Sequence, residues 1–306
     1  MRVLVVARCK NGRYAPFITE QVLALQKLGV ECRFFPVMKN GIWGYLSHLS
    51  SLKQAICAFH PDLIHAHYGL SGLFANMQRT VPVVTTYHGS DINDRAVRPL
   101  SRLSILLSAF NIFVSWKTLG IISPKDKYVL IPCGINLEDY PEMDKNQARL
   151  GMNLPVKGKY VLFSGAFDNP VKNASLAKEA VSRLESVQLI ELKGYSRAEV
   201  ASLLYAADAL LMTSLTEGSP QIIKEALACG CPIVSVDVGD VKELTSGISG
   251  CFMVERDPVS IANAIRCAME FGKKTEGRRV VEERGLSNVV IAERILSVYQ
   301  RIVENR

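Results

Sequence analysis

The sequence predicts an α/β protein made of two doubly wound, Rossmann-like domains facing across a cleft. Three observations carry that expectation. Short β-branched apolar runs alternate with amphipathic helical periodicity from end to end. The alternation breaks once, over 132–158, in the Pro-, Gly- and charge-rich stretch PCGINLEDYPEMDKNQARLGMNLPVKG, as a connection between domains should. The length of 306 residues, 48% of them hydrophobic and 21% charged, suits two ordinary globular domains of about 150 residues each.

In the first half, strands are expected at 2–7, 30–36, 62–66, 81–86, 110–114 and 127–131, with helices near 16–28, 44–59, 69–79 and 96–108. The helix at 16–28 shows the pattern plainly: Val22, Leu23, Leu25 and Leu28 form one apolar stripe, and Gly29 ends it. In the second half, strands are expected at 159–164, 187–192, 208–212, 232–236 and 250–254. Helices near 172–184, 196–206, 219–229, 257–271 and 288–304 separate and follow them. The domains so defined are 1–136 and 150–287. A last helix, 288–306, is open to packing back on the first domain.

Composition narrows the class further. Disorder, collagen and a stapled mini-protein are excluded. The apolar runs, such as Val3–Ala7 and Ile112–Val114, fall far short of the roughly 20 residues of a membrane span. The opening MRVLVVARCK is too short in apolar residues for a signal peptide, so a cytoplasmic protein is expected. The eight cysteines form no C-x-x-C pair and are expected as small buried hydrophobes. His65 and His67 follow a strand-like run with no third ligand pattern nearby; a strand end lining a cleft is expected there, and no metal. Residues 1–140 carry 15 Lys/Arg against 8 Asp/Glu, whereas the remainder is balanced at 21 against 21. A basic first half points to an anionic partner: a phosphorylated substrate, a lipid surface or nucleic acid. No nucleic-acid recognition motif accompanies it.

The sharpest chemical signal is TSLTEGSPQIIKEALACGCPIVS. It sets Glu217 in a loop after a strand and Gly218 beside it, allowing a ligand to approach closely. Ser219 and Pro220 are expected to open a helix, whose N–H groups and dipole make an anion site. Glu225 follows inside that helix among apolar positions such as Ile222, Ala226 and Leu227. A carboxylate there needs donors, and a ribose diol supplies two.

The E-x(7)-E spacing followed by ALACGCPIVS resembles the donor-site motif of retaining glycosyltransferases of family 4, which have the GT-B fold. PFITEQVLALQKLGVEC, HAHYGLSGLFA, VPVVTTYHGSD, IPCGIN, KYVLFSGAFDNPVKN and GYSRAEVASLLYAADALLMTSLTEGSP resemble further family segments in the right order, so the similarity covers nearly the whole chain. The resemblance implies a glycosyltransferase moving a sugar from a nucleotide diphosphate sugar to a hydroxyl of a surface-glycan or lipid-linked acceptor, with retention. Glu217 would contact sugar hydroxyls, Glu225 the ribose, and His88 the transferred sugar. Lys172 would meet the leaving diphosphate. Gly218, Ser219, Pro220, Gln221, Ile222 and Gly12 would complete the donor site, with no cofactor or metal required. The sequence departs from the family at Ala166-Phe167-Asp168, where an arginine is usual, and Arg13 is the expected substitute cation. Arg95, Arg98 and Arg102, spaced by three and four, are expected to share a helix face that meets acceptor or anionic membrane. Trp43 and Tyr45 are core or loop residues, or an interfacial anchor. The alternatives are a non-catalytic sugar-nucleotide-binding partner subunit and a nucleotide-sugar epimerase.

Overall fold

The computed structural model describes residues 1–39 and 41–304, the side chains of Ile42 and Trp43 excepted, so the expectation for Trp43 lies outside the described residues. The chain divides into two compact units, Met1–Gly134 with Leu286–Arg306, and Ile135–Gly285.

The first unit is built on six strands: β1 (Arg2–Arg8), β2 (Glu31–Val37), β3 (Leu63–His67), β4 (Val83–Tyr87), β5 (Phe110–Phe113) and β6 (Tyr128–Leu130). Their order is β2-β1-β3-β4-β5-β6, all parallel. Strand β1 is apolar from Val3 to Ala7 because both its faces are covered there. Val3 and Val5 pack with Ile18, Val22 and Leu25 of the helix Pro16–Lys27. Leu4 and Val6 pack on the other side with Leu52, Phe59 and Phe74.

The second unit holds β7 (Lys159–Phe163), β8 (Val187–Glu191), β9 (Ala209–Met212), β10 (Ile233–Val236) and β11 (Cys251–Val254), parallel and ordered β11-β10-β9-β7-β8. Its core joins Val161, Phe163, Leu211 and Val234 to Ala177 and Val181 of one helix and Ile261 and Ile265 of another.

Three sequence expectations are revised. The helix near 44–59 is two, Gly41–Leu46 and Leu49–Phe59, because Ser47 Oγ and His48 Nδ1 both engage the Gly44 carbonyl at 2.8 Å in place of a continuing backbone bond. The helix near 96–108 begins only at Arg98, with Pro99 in its first turn. Residues 145–151, expected inside a connection, form a helix of the second unit capped by Asp144. That helix is pinned from inside: Arg149 bonds the Ala206 carbonyl and forks onto Asp208 at 3.0 and 3.1 Å, and Lys145 meets Asp208 at 2.5 Å.

The C-terminal helix Asn288–Glu304 belongs to the first unit, where Ile291, Ala292, Ile295 and Tyr299 enter the β1 core. Tyr299 also carries a polar tie, its hydroxyl 2.6 Å from His65 Nδ1, while His65 Nε2 meets Thr86 Oγ1 at 2.7 Å. Burial pushes His65 down to about 3. His67 is held well below the ordinary range by burial and by its histidine neighbours.

These two imidazoles stay neutral in the fold, while the unfolded chain protonates them near pH 6.5. Their contribution is therefore full above about pH 6.5 and falls away below it, for His65 down to about pH 3. Asp91 acts oppositely: burial raises it to about 6, so the fold takes up its proton first as pH falls. Between pH 7 and pH 5 His65 should cost about 2 kcal/mol and Asp91 return about 1, with His67 adding to the fall. Urea titrations at the two pH values measure it, and in His65→Gln the fall should shrink by about 2 kcal/mol.

Candidate functional site

In a parallel sheet every strand ends on the same edge, and the loops there collect the chemistry. In the second unit that edge carries the loops after β7 and β9. After β7 the chain passes through Gly165 and a 3-10 turn, Pro170–Lys172, whose start is capped by the Asn169 side chain. A Cβ on Gly165 would sit 2.8 Å from Lys172 Cγ, so glycine is what lets the lysine stem lie across the loop. Lys172 Nζ donates to Glu217 Oε1 at 2.6 Å, both side chains mostly buried. The two loops are tied by backbone as well: Leu215 N–H donates to the Val171 carbonyl at 2.8 Å, and Thr213 Oγ1 to the carbonyls of Lys172 and Asn173. Lys172, Glu217 and Gly218 are thus brought together as expected.

The start of the following helix differs from expectation. It runs Gln221–Cys229 with Pro220 as an extended N-cap that provides no side-chain bond. Ser219 does other work. Its hydroxyl donates to Asp240 Oδ2 at 2.5 Å and accepts from Lys224 Nζ at 2.7 Å. Lys224 is fully buried and also bonds Gln221 Oε1 at 3.2 Å. Burial holds the Asp240 carboxyl above the usual range, against the pull of Lys224 and Ser219. Gly239, at φ +56°, packs so closely that a Cβ would lie 2.5 Å from the Gly218 carbonyl oxygen. Lys224, Asp240 and Gly239 therefore shape the Glu217–Gln221 loop, and sequence reasoning missed all three. A lysine at an inner position of an apolar helix, IIKEALAC, was the available signal.

Glu225 is half-buried, with Ile222 partly exposed nearby in sequence. The Tyr140 phenol, raised by its burial and then by the charge of Glu225, stands beside that carboxylate. Asp168, in the stretch without arginine, pairs at 2.5 Å with Lys193, which adds a second cation to this edge. A groove of about 500 Å³ lies at the opposite strand ends, against Asp208 and Pro232, away from these groups.

In the first unit, His88 follows β4. Its Nε2 meets His67 Nδ1 at 3.0 Å and its Nδ1 faces Cys133 Sγ at 3.7 Å, so to act on a sugar hydroxyl it would have to exchange a partner. Asp91 accepts from the backbone N–H of Gly69, His88 and Gly89, locking the loops after β3 and β4 together. Gly12 and Arg13 lie in the turn after β1. The expected basic helix face is not formed by all three arginines. Arg95 precedes the helix, and Arg98 is spent on the carbonyls of Ile92 and Asn93 at 2.7 and 3.0 Å. Arg102 is exposed and lines a groove of about 380 Å³ with Leu106, Lys125 and Lys127. Tyr45 is a core residue, 7% exposed.

Against known families, residues 2–139 match the model described as Glycosyltransferase Family 4 and residues 165–270 the one described as Glycosyl transferases group 1. The chain belongs to these glycosyltransferases. Among relatives, the glycosyltransferase is 24% identical over 333 residues to a D-inositol 3-phosphate glycosyltransferase of Mycobacterium marinum, covering 81% of this chain and 71% of that one. It is 25% identical over 249 residues to the putative teichuronic acid biosynthesis glycosyltransferase TuaC of Bacillus subtilis, covering 71% and 63%. In fold it resembles a sucrose-phosphate synthase of Thermosynechococcus elongatus (TM-score 0.85, 17% identity, 100% of both chains). It also resembles Anabaena HepE in complex with UDP and glucose (TM-score 0.75, 17% identity, 98% and 100%). The two parallel α/β units are those of the GT-B fold.

Because Lys224 and Asp240 are buried and share one hydroxyl, removing either leaves the other uncompensated. Lys224→Met and Asp240→Asn should each cost this glycosyltransferase about 3 kcal/mol of stability. The double variant should cost less than the sum by about 1–3 kcal/mol, read from urea midpoints.

Proposed function

We propose that this glycosyltransferase transfers a sugar from a nucleoside diphosphate sugar to an acceptor hydroxyl with retention of anomeric configuration. The observation that carries the reading is the Lys172–Glu217 contact at 2.6 Å, with Glu225 in the next helix. A cation and a carboxylate held side by side suit the two halves of a glycosyl phosphate: Lys172 meets the diphosphate, and Glu217 accepts from sugar hydroxyls and stabilises the electron-poor anomeric carbon. Glu225 receives the ribose diol. The N-terminal end of the helix Gln221–Cys229 adds its dipole to the diphosphate site. In the reaction the anomeric C–O bond to diphosphate breaks and the acceptor oxygen bonds the same face. The acceptor proton passes to the departing phosphate oxygen. The complex of Anabaena HepE with UDP and glucose supports a donor of this class. The groups named here supply the charge neutralisation without recourse to a divalent ion. A non-catalytic binder of the same ligand would hold the donor and release nothing.

Glu225→Ala should weaken bare nucleoside diphosphate binding roughly 10–100-fold, since hydrogen bonds to a charged group are lost. Glu217→Ala should leave that affinity within about twofold while transfer falls roughly 100-fold or more. Calorimetry and acceptor-dependent release of nucleoside diphosphate measure the two effects. Equal losses of binding in both variants would refute the division of roles.

We further propose that the first unit rests on anionic membrane through Arg102, Lys125 and Lys127, with Leu106, which is 81% exposed, entering the interface. Vesicles with acidic lipid should sediment the protein, and Arg102→Ser/Lys125→Ser/Lys127→Ser should weaken binding more than about tenfold, at about 1 kcal/mol per basic residue. Salt-insensitive sedimentation would count against this surface.

A further inference from the structure

A cleft of about 670 Å³ lies in the first unit at the carboxyl ends of β1, β3 and β4. Arg8, Lys10 and Arg13 line one side of it, and Tyr14, Tyr45 and Tyr68 supply aromatic wall. We infer that this cleft takes the acceptor, and that the acceptor is a polyhydroxylated ring carrying a phosphate group. The inference rests on the transfer reading above and adds the chemical class of the second substrate.

The cations are held there by backbone geometry. Asn11 and Gly12 have φ +51° and +75°, the pair of left-handed residues that makes the tightest hairpin turn. Lys10 and Arg13 flank the turn and exchange both backbone bonds, at 2.9 and 3.0 Å. Residues directly opposed in this way send their side chains to the same side, about 5 Å apart. Like charges so placed repel, and among the described residues no carboxylate is paired with either. A fold that spends an Asn-Gly turn on two adjacent cations, with Arg8 at the end of the same strand, is arranged for an anion.

The floor is arranged too. Tyr68 stands at φ 72°, ψ 148°, a conformation that L-residues seldom adopt, and its N–H is fixed to the Thr86 carbonyl at 2.8 Å. The ring is thereby set against His88, centroids 4.7 Å apart, and toward the cleft. Tyr14 is stacked on Phe34, ring centroids 4.3 Å apart, which orients its ring. Rigid phenols offer a flat face to the C–H side of a ring and a hydroxyl to its rim. Asp94, at the exposed edge, holds the Ala96 N–H with Oδ1 at 2.8 Å and offers Oδ2 to ligand hydroxyls, whereas the Asp91 carboxylate is committed to three backbone N–H groups. Three cations suit phosphate, with nearly two charges and three acceptor oxygens, better than carboxylate, which one arginine fork satisfies. Arg13 is thereby assigned to the acceptor rather than to the donor diphosphate.

Calorimetry on the full chain tests this with a hexose phosphate, the parent hexose, the corresponding uronate and inorganic phosphate. The hexose phosphate should bind at least about tenfold tighter than each of the other three. Lys10→Ser/Arg13→Ser should erase that preference, and Lys10→Arg should keep it, which separates charge from structure. Equal binding of hexose and hexose phosphate would overturn the inference, as would a double variant without effect. Uronate binding as tightly as the phosphate would overturn the phosphate assignment. Competition between hexose phosphate and bare nucleoside diphosphate would return these cations to the donor and overturn the acceptor role. Hexose phosphate binding by a wild-type protein that takes no nucleoside diphosphate would uphold the phosphate specificity of the cleft and refute the transfer reading instead. A hexose linked through diphosphate to a short prenyl chain distinguishes the sources. Tighter binding than the free hexose phosphate assigns the phosphate to a lipid carrier, and equal binding to a soluble acceptor.

Discussion

Parallel pairing, without exception in either sheet, is the constraint on which the rest of this glycosyltransferase depends. It forces each strand to be followed by a crossover, and the crossover helices cover both faces of the sheet. Val3 to Val6 are accordingly apolar on both sides, and the groups of the candidate site stand in loops at the strand ends. Since all strands point one way, one edge of each sheet receives every loop that follows a strand. The Lys172 and Glu217 loops meet on that edge in the second unit, and the Lys10–Arg13 turn, Tyr68 and His88 in the first.

Charge at these edges is handled in two ways. Where a charge is buried, a partner is built in: Lys224 shares Ser219 with Asp240, and Asp91 takes three amides. Removing such a charge from water is expensive, and each of these groups recovers the cost through defined hydrogen bonds. Where charge is exposed in the first unit, at Lys10 and Arg13, two cations are set side by side instead. The buried networks hold loops still, and the exposed pair waits for something negative. This difference separates the residues that shape the site from those that meet ligand.

Much of the fold was legible in the sequence because period and burial are coupled. Among the described residues the eleven strands lie where the apolar runs place them, and the long helices follow their stripes. The errors fall on short elements whose ends are decided by side-chain bonds: the break at Ser47–His48 and the Asp144-capped helix in an apparent linker. Such bonds leave no periodic trace. The Arg95–Arg98–Arg102 spacing misled for a similar reason, since helical phase applies only after the helix begins, and Pro99 begins it too late for Arg95.

For the candidate site, sequence by itself determined the residue types and their spacing: Glu217 and Glu225 across seven residues, Lys172 after its glycine, and the Asn11-Gly12 turn. Local chemistry suffices there, because loop, helix start and turn are read within a few neighbouring residues. Only the tertiary structure decided which distant groups serve each other. Lys172 and Glu217 are 45 residues apart, Ser219 and Asp240 21, and Tyr299 and His65 234. Those pairings depend on sheet order and on loops settling against one another, and neither is written in any single stretch of the chain.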